Sequence, residues 1–263
     1  MTTATECPQA LACEPIRRAE SVMGTVASFN IRPGPVPPGL VYLALAEARA
    51  RLHRADAVFS LWKTQSPMSR LRRGEIRLED APVELSEVLR QCEAARAASH
   101  GWFDPWAMPG GVDPTGLVKG WAAQQALDVL QLAGVPAAMV NAGGDVAVSG
   151  QPEPGRPWRI GVRDPWHAKR VIAVVSTSGA IATSGTYERG EHLLDPHTGR
   201  PSSPIASATV TGPDLGLADA LATGVAAAGE AGLDWFGDLD GYEVLIVRHD
   251  GSRRRTPGFP SAA

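Results

Sequence analysis

A chain of 263 residues with 44% apolar and 20% charged residues can bury a sizeable core and has the composition of a soluble globular protein. Its net charge of −3 excludes the basic footprint of a nucleic-acid binder; the one basic run, Arg253-Arg254-Arg255, reads as a solvated strand end. Cys7, Cys13 and Cys92 are too few and too widely spaced for a disulfide framework or a zinc site, and no apolar run approaches the roughly 18 residues of a membrane span.

The first fifteen residues are polar and contain proline, so residues 1–18 are expected to be a flexible terminal segment. Leu11-Ala12-Cys13 looks like the end of a lipoprotein signal. Met1 to Ala10 carries no Lys or Arg and no apolar stretch, which argues instead for a cytoplasmic protein without membrane insertion. Ser21 to Ile31 reads as a strand and the proline-rich Arg32 to Gly39 as a loop. Leu43, Ala46, Ala50 and Leu52 trace a helix face between Leu40 and Val58. A second helix is expected from Glu84 to Ser99, then an aromatic loop from Gly101 to Asp113. A third helix begins near Thr115 with an apolar stripe from Val118 to Ala133, and Gly134 stops it.

Ala137 to Val140 is a short apolar strand. Strands follow at 146–149, 158–164, 171–176, 179–183 and 207–211. Leu217 to Ala228 is a small-residue helix that Asp214 can cap. Tyr242–Arg248 and Ser252–Thr256 flank Asp250-Gly251 as a hairpin. Many strands follow one another directly, which predicts an α+β fold with mixed or antiparallel sheets. Residues 19–263 are read as a single domain.

Four segments can carry chemistry, and each also has a plain structural reading. Asn141-Ala142-Gly143-Gly144-Asp145 ends a strand; it is an anion nest or simply a turn. Asp113-Pro114-Thr115-Gly116-Leu117-Val118-Lys119-Gly120 opens the third helix, where an anion or a helix cap fits. His192-Leu193-Leu194-Asp195-Pro196-His197-Thr198-Gly199 matches no usual metal spacing and reads well as a tight turn. Asp219 and Thr223 stand at i and i+4 of a helix. Together they suit a hard cation such as Mg²⁺, or a cap with a back-bonded threonine.

The order of these segments is more informative than any one of them. Met23-Gly24-Thr25, Phe59-Ser60 with Ser66 to Leu71, Phe103-Asp104-Pro105, Asp113 to Gly120, Asn141 to Asp145, Ile181 to Arg189, His192 to Gly199 and Asp219 to Thr223 together resemble the ApbE family of flavin transferases, from about residue 20 to 248. The resemblance implies an α+β fold and FAD as substrate. It further implies Mg²⁺-dependent transfer of FMN to a Thr or Ser hydroxyl of an acceptor flavoprotein, with release of AMP. Alternatives within the same resemblance are a FAD pyrophosphatase yielding FMN and AMP, and a FAD-binding protein without turnover.

The resemblance also implies site residues. Met23, Trp62, Trp102, Phe103, Asp104, Asp113, Lys119, Gly144, Asp145 and Ile205 would bind FAD. The main-chain carbonyl of Gly116 and the side chains of Asp219 and Thr223 would hold Mg²⁺. His192 and Lys119 are the catalytic candidates, His192 as general base because imidazole titrates near neutral pH. Two departures stand out. Asp104 and Asp113 lie only nine positions apart where many relatives carry an insertion. Ala222 occupies a place where some relatives have a carboxylate.

Overall fold

The structure, a computed structural model, describes residues 14–185 and 193–260. The segment from Ser21 to Ile31, expected as one strand, is the middle of a hairpin: β1 (Ile16–Val22) pairs antiparallel with β2 (Thr25–Arg32). Met23 and Gly24 make the turn with φ of 53° and 69°, the positive values that a two-residue hairpin turn matching strand twist needs. The composition hides this break because strand-forming residues run on both sides of Met-Gly. The proposed domain boundary at residue 18 falls inside β1.

The helices α1 (Pro38–Phe59), α2 (Pro67–Arg72), α3 (Val83–Ala98) and α4 (Thr115–Leu132) follow. The short α2 has no hydrophobic periodicity to announce it; the side chain of Ser66 caps it by accepting from Ser69 N at 3.0 Å. Then come β3 (Ala137–Ala142), β4 (Asp145–Ser149), β5 (Trp158–Arg163), β6 (Val171–Thr177) and β7 (Ala180–Gly185). The chain continues with β8 (Leu194–Asp195), β9 (Arg200–Pro201), β10 (Ser207–Gly212), α5 (Leu215–Ala228), β11 (Glu243–Val247) and β12 (Arg253–Arg255).

Eight strands form one sheet in the order β1-β2-β3-β4-β7-β10-β11-β12, and β5-β6 and β8-β9 are separate two-stranded ladders. Every pairing among the described strands is antiparallel, so the fold is α+β with antiparallel sheets. Alternation decides which face each strand presents. On β2, Ala27, Phe29 and Ile31 are buried and join the core shared with α1, α4 and α5. The opposite face of the central strands is covered by the β5-β6 hairpin, where Trp158, Val162 and Val175 pack on Val146, Val148 and Ile181. Both outer strands carry arginines, Arg17 and Arg18 on β1 and all of β12, which discourages pairing with another chain.

The two helices that matter most here are α4 and α5, which pack against each other and against the centre of the sheet. Their contact is tight at Gly120. A Cβ on Gly120 would collide with the carbonyl oxygen of Leu215 and lie 2.9 Å from Cβ of Asp219. Glycine is required here for contact between helices, not for an unusual dihedral. Gly120→Ala is expected to force α4 and α5 apart and destabilise the protein by about 1–3 kcal/mol, the usual cost of overpacking a core. Urea denaturation followed by circular dichroism measures this, and an unchanged midpoint would show that the helices separate freely.

Candidate functional site

Residues three and four apart share a helix face, so Gly116, Lys119 and Gly120 of α4 turn together toward α5. From α5, Asp219 and Thr223 return the same i, i+4 arrangement. Asp219 Oδ2 accepts a hydrogen bond from Gly120 N at 3.0 Å. A carbonyl oxygen has two lone pairs, so the Gly116 carbonyl retains capacity for a partner besides the helix. Thr223 Oγ1 lies 3.2 Å from Ser184 Oγ on β7. The first turn of α4 comes so close that a Cβ on Gly116 would sit 3.3 Å from Thr223 Oγ1 and 3.1 Å from the Phe103 ring.

These groups line one end of a cavity of about 550 Å³ between the N-terminus of α4, the ends of β4 and β7, and the loops around residues 24, 104 and 193. That volume suits a ligand of drug or nucleotide size. Asp113 shapes the start of α4: its Oδ1 accepts from Thr115 N at 2.9 Å and from Thr115 Oγ1 at 2.6 Å. Asp104 braces the adjoining loop, accepting from Trp106 N at 2.9 Å and pairing with Arg96 at 2.8 Å. Both aspartates therefore hold local turns while facing the cavity.

A buried charge cluster lies behind the cavity wall at Lys119. Asp145, at the start of β4, is only 1% exposed. A buried carboxylate needs compensation. Its Oδ1 accepts from Thr183 N at 3.0 Å, while Oδ2, which makes no hydrogen bond of ordinary geometry, is in direct ion-pair contact with Lys119 Nζ. The same ammonium lies 3.9 Å from Asp219 Oδ2. One lysine thus stands between two buried carboxylates. Behind them, Thr183 and Thr209 share a hydroxyl–hydroxyl hydrogen bond of 2.9 Å.

The residues singled out from the sequence are distributed as follows. Trp102, Phe103, Asp104, Asp113, Gly116, Lys119, Asp219 and Thr223 all line the cavity. Trp102 also meets His197 edge to face, with ring centroids 4.7 Å apart. Met23 packs against the core at the β1-β2 turn while its neighbours Gly24 and Thr25 reach the cavity. At the β3-β4 turn, Gly143 lines the cavity, whereas Gly144, whose N bonds Asn141 Oδ1 at 2.9 Å, and the buried Asp145 are not among the lining residues. Ile205 is buried in the main core, and Trp62 stands 95% exposed on the loop after α1; neither is among the lining residues. His192 lies outside the described residues. The sequence reading assigned no role to Thr183 and Ser184, which lie in a segment it quoted, or to Arg163, which β5 carries to the cavity wall at a β-bulge. A bulge has no signature that pattern reading detects.

Among the described residues, no group of three or more His, Cys, Asp or Glu side chains is arranged for a metal. Asp219, Thr223 and Gly116 line the same cavity, and the donors they offer, a carboxylate, a hydroxyl and a main-chain carbonyl, are hard oxygens. They fit Mg²⁺, which binds few protein groups and fills its remaining positions with water and phosphate oxygens.

The sequence model of the ApbE family matches residues 23–111 and 107–246. A FAD:protein FMN transferase of Rhodobacter capsulatus is 38% identical over 151 residues, covering 53% of this chain and 28% of the relative. One from Vibrio cholerae is 37% identical over 130 residues, covering 45% and 39%. The matched region spans less than half the length of these curated relatives. Among solved structures, the flavin transferase ApbE from Vibrio cholerae superposes with a TM-score of 0.80 at 21% identity, covering 95% of this chain and 97% of that one. The ApbE protein from Thermotoga maritima gives 0.79 at 23% identity, covering 93% and 97%. These two likenesses establish the shared fold.

Cys92, the one cysteine among the described residues, is fully buried in α3, and burial, aided by Asp113 and Glu93, pushes its thiol up to about 12. A nucleophilic cysteine needs an accessible thiolate. Iodoacetamide at pH 8 is therefore expected to spare the Cys92 peptide in native protein and label it in denaturant, as read by peptide mass spectrometry. Native labelling would reopen thiol chemistry.

Proposed function

The chain belongs to the ApbE family, and on that premise we propose that it is a Mg²⁺-dependent FAD:protein FMN transferase. In this reading residues 19–263 form a single catalytic domain that works in the cytoplasm. None of the described helices is long and apolar enough to cross a membrane. The observation that carries the reading is the convergence of Asp219, Thr223 and Gly116 beside Lys119 at the N-terminus of α4, within one nucleotide-sized cavity. A dianionic pyrophosphate is the ligand such a place recruits. Helix amides and a lysine supply positive potential, and hard oxygens can seat a divalent cation next to it.

The protein groups have distinct tasks. Trp102 and Phe103 offer aromatic surface to the flavin or adenine rings, and Met23, Trp62, Gly144 and Ile205 are proposed at the ligand's margins. Asp104 and Asp113 hold the loops that frame it. Lys119 orients the pyrophosphate, and Asp145 fixes Lys119. Asp219, Thr223 and the Gly116 carbonyl hold Mg²⁺, which supplies charge neutralisation at the phosphates. His192 takes the proton from a Thr or Ser hydroxyl of the acceptor protein. That oxygen bonds to the FMN phosphorus, the bridging P–O bond breaks, and AMP leaves with the electron pair. Positioning and charge neutralisation provide most of the catalysis in such transfers.

Mixing the protein with FAD, Mg²⁺ and a flavoprotein domain bearing an acceptor threonine, then measuring the domain's intact mass, tests the reading. The expected result is a gain of one FMN that chelation abolishes. Free FMN and AMP with an unmodified domain would instead identify a pyrophosphatase, and intact FAD a binding protein, provided a known transferase modifies the same domain in parallel.

Two variants refine the assignments. Asp219→Ala is expected to lose Mg²⁺-dependent transfer while retaining measurable FAD binding; undiminished transfer would remove the metal assignment. His192→Ala is expected to slow transfer by about 10²-fold or more, the ordinary contribution of a general base, with FAD affinity preserved in a fluorescence titration. Near-normal transfer in that variant would assign the base elsewhere.

A further inference from the structure

A second pocket, of about 270 Å³, opens where the tip of the β5-β6 hairpin meets the turn between β11 and β12, with Trp166, Arg170, Ile172, Val247, His249 and Arg253 in its walls. It lies beside the main cavity. Gly185 lines that cavity and pairs with Ser207, which pairs in turn with Val247, so two strand spacings, roughly 10 Å, separate one wall from the other. The hairpin also joins them directly: Arg163 lines the main cavity and its neighbour Asp164 the second pocket. The tip is firmly built. Asp164 Oδ1 accepts from Trp166 N at 2.8 Å and from His167 N at 3.2 Å, and Arg253 Nη1 donates to Ile172 O at 2.7 Å, tying β12 to the hairpin. On this braced backbone the Trp166 side chain stands 50% exposed.

We propose that this pocket and the hairpin tip are the docking surface for the acceptor protein, with an acidic side chain of that protein seated between Arg170 and Arg253 and its neighbouring apolar surface laid on Trp166. The proposal rests on the transferase reading above and deepens it by naming where the protein substrate is held. Size, charge and place select this occupant. The pocket is smaller than the roughly 300–1,000 Å³ of small-molecule sites, so it suits a protein side chain. Residues 163–171 carry Arg163, Lys169 and Arg170 against Asp164, and residues 249–255 carry Arg253, Arg254 and Arg255 against Asp250, in a chain whose net charge is −3. Both acids serve their own turns, Asp164 as above and Asp250 by accepting from Ser252 N at 2.8 Å, while Arg254 pairs with Glu230 at 2.7 Å. An excess of cations at one end of an acidic molecule steers an acidic partner to that end. A protein that lowers a hydroxyl into the main cavity lies across its rim, and a neighbour about 10 Å away falls well inside the roughly 800 Å² that each partner buries in an ordinary interface. Trp and Arg are the side chains that most often carry interface energy, and a tip ordered in advance loses little entropy on binding.

The test follows transfer to a flavoprotein domain bearing an acceptor threonine, by intact mass, over a range of domain concentrations. Trp166→Ala and Arg170→Glu are each expected to raise KM for the domain about tenfold or more. Their kcat is expected to stay near wild type, the pattern of lost binding and not of lost chemistry, with FAD affinity unchanged in a fluorescence titration. Wild-type KM is expected to climb as salt is raised, and that of Arg170→Glu to climb less steeply. Arg170 sits 3.6 Å from Asp164, so charge reversal there can disturb the tip, and thermal melts run in parallel. If Arg170→Glu does not fold, Lys169→Glu on the same tip takes its place, with a rise in KM of about threefold or more expected. KM within about twofold of wild type in Trp166→Ala and in the charge reversal would overturn the proposal and leave the transferase reading intact. A fall in kcat at unchanged KM would overturn it equally. A wild-type protein that leaves unmodified a domain that a known transferase modifies would remove the transferase reading along with this proposal, which separates the two failures. Binding of a single-stranded oligonucleotide, read by fluorescence polarisation and abolished in Arg170→Glu while transfer kinetics stay at wild type, would give the surface to nucleic acid instead.

Discussion

The site depends on how closely two helices approach. Gly120 brings the backbone of α4 against Leu215 and Asp219 of α5, and much else follows from that contact. The amide of Gly120 becomes reachable by the Asp219 carboxylate. The helical repeat then carries Lys119 toward the sheet and Gly116 toward Thr223. Small residues stand on both sides of the contact: a Cβ on Gly116 of α4 would meet Thr223 at 3.3 Å, and one on Gly216 of α5 would meet Trp121 Cα at 3.4 Å. Larger side chains at these places would widen the spacing. Packing and chemistry here are the same constraint.

The sheet supplies rigidity where the charges are buried. The central strand β10 is buried along nearly its whole length, and β7 pairs with it residue for residue from Ala180 to Gly185. Thr183 presents its amide to Asp145 and its hydroxyl to Thr209, and the Lys119 ammonium contacts the other oxygen of Asp145, so a polar cluster sits within an otherwise apolar layer. Such clusters are costly when incomplete and stiff when complete. A stiff mount is what a single lysine shared between two acids requires, because a shift of about an ångström would change which acid it neutralises.

Much of this was legible in the sequence, for reasons that differ by residue. Helices α3, α4 and α5 declare themselves by apolar spacing or runs of small residues, and the i, i+4 pairing of Asp219 with Thr223 survives any small error in helix bounds. Helix α1 was expected in the right place but on the wrong face: Leu43, Ala46 and Ala50 are exposed, and Val41, Ala44, Leu45, Ala48 and Leu52 are buried, because an Ala- and Leu-rich stretch offers more than one apolar stripe. The ordered segments allowed the fold to be expected before any geometry was available. The β1-β2 turn was not legible, since Met-Gly is no usual turn pair and only the backbone reveals its positive φ values. Nor was the pairing of Lys119 with Asp145: 26 positions separate them in sequence, and only the packing of α4 on β4 joins them. Arg163 reaches the cavity through a bulge, and Thr183 acts through its backbone amide. Neither leaves a trace in residue type.

The two departures from the family pattern can be weighed in physical terms. The short connection from Asp104 to Asp113 still forms a braced wall. Arg72 of α2 donates to the carbonyls of Pro109 at 2.7 Å and Gly110 at 3.0 Å, and Arg96 anchors Asp104. A guanidinium reaching across to two successive carbonyls holds a loop of this length without further chain. Ala222 is fully buried in the main core. A carboxylate there would add a third buried acid near a single lysine, and the desolvation cost of an unpaired buried charge is several kcal/mol. With alanine, no further charge is buried beside Lys119, Asp145 and Asp219, and the helix packs at that place without a polar group to satisfy.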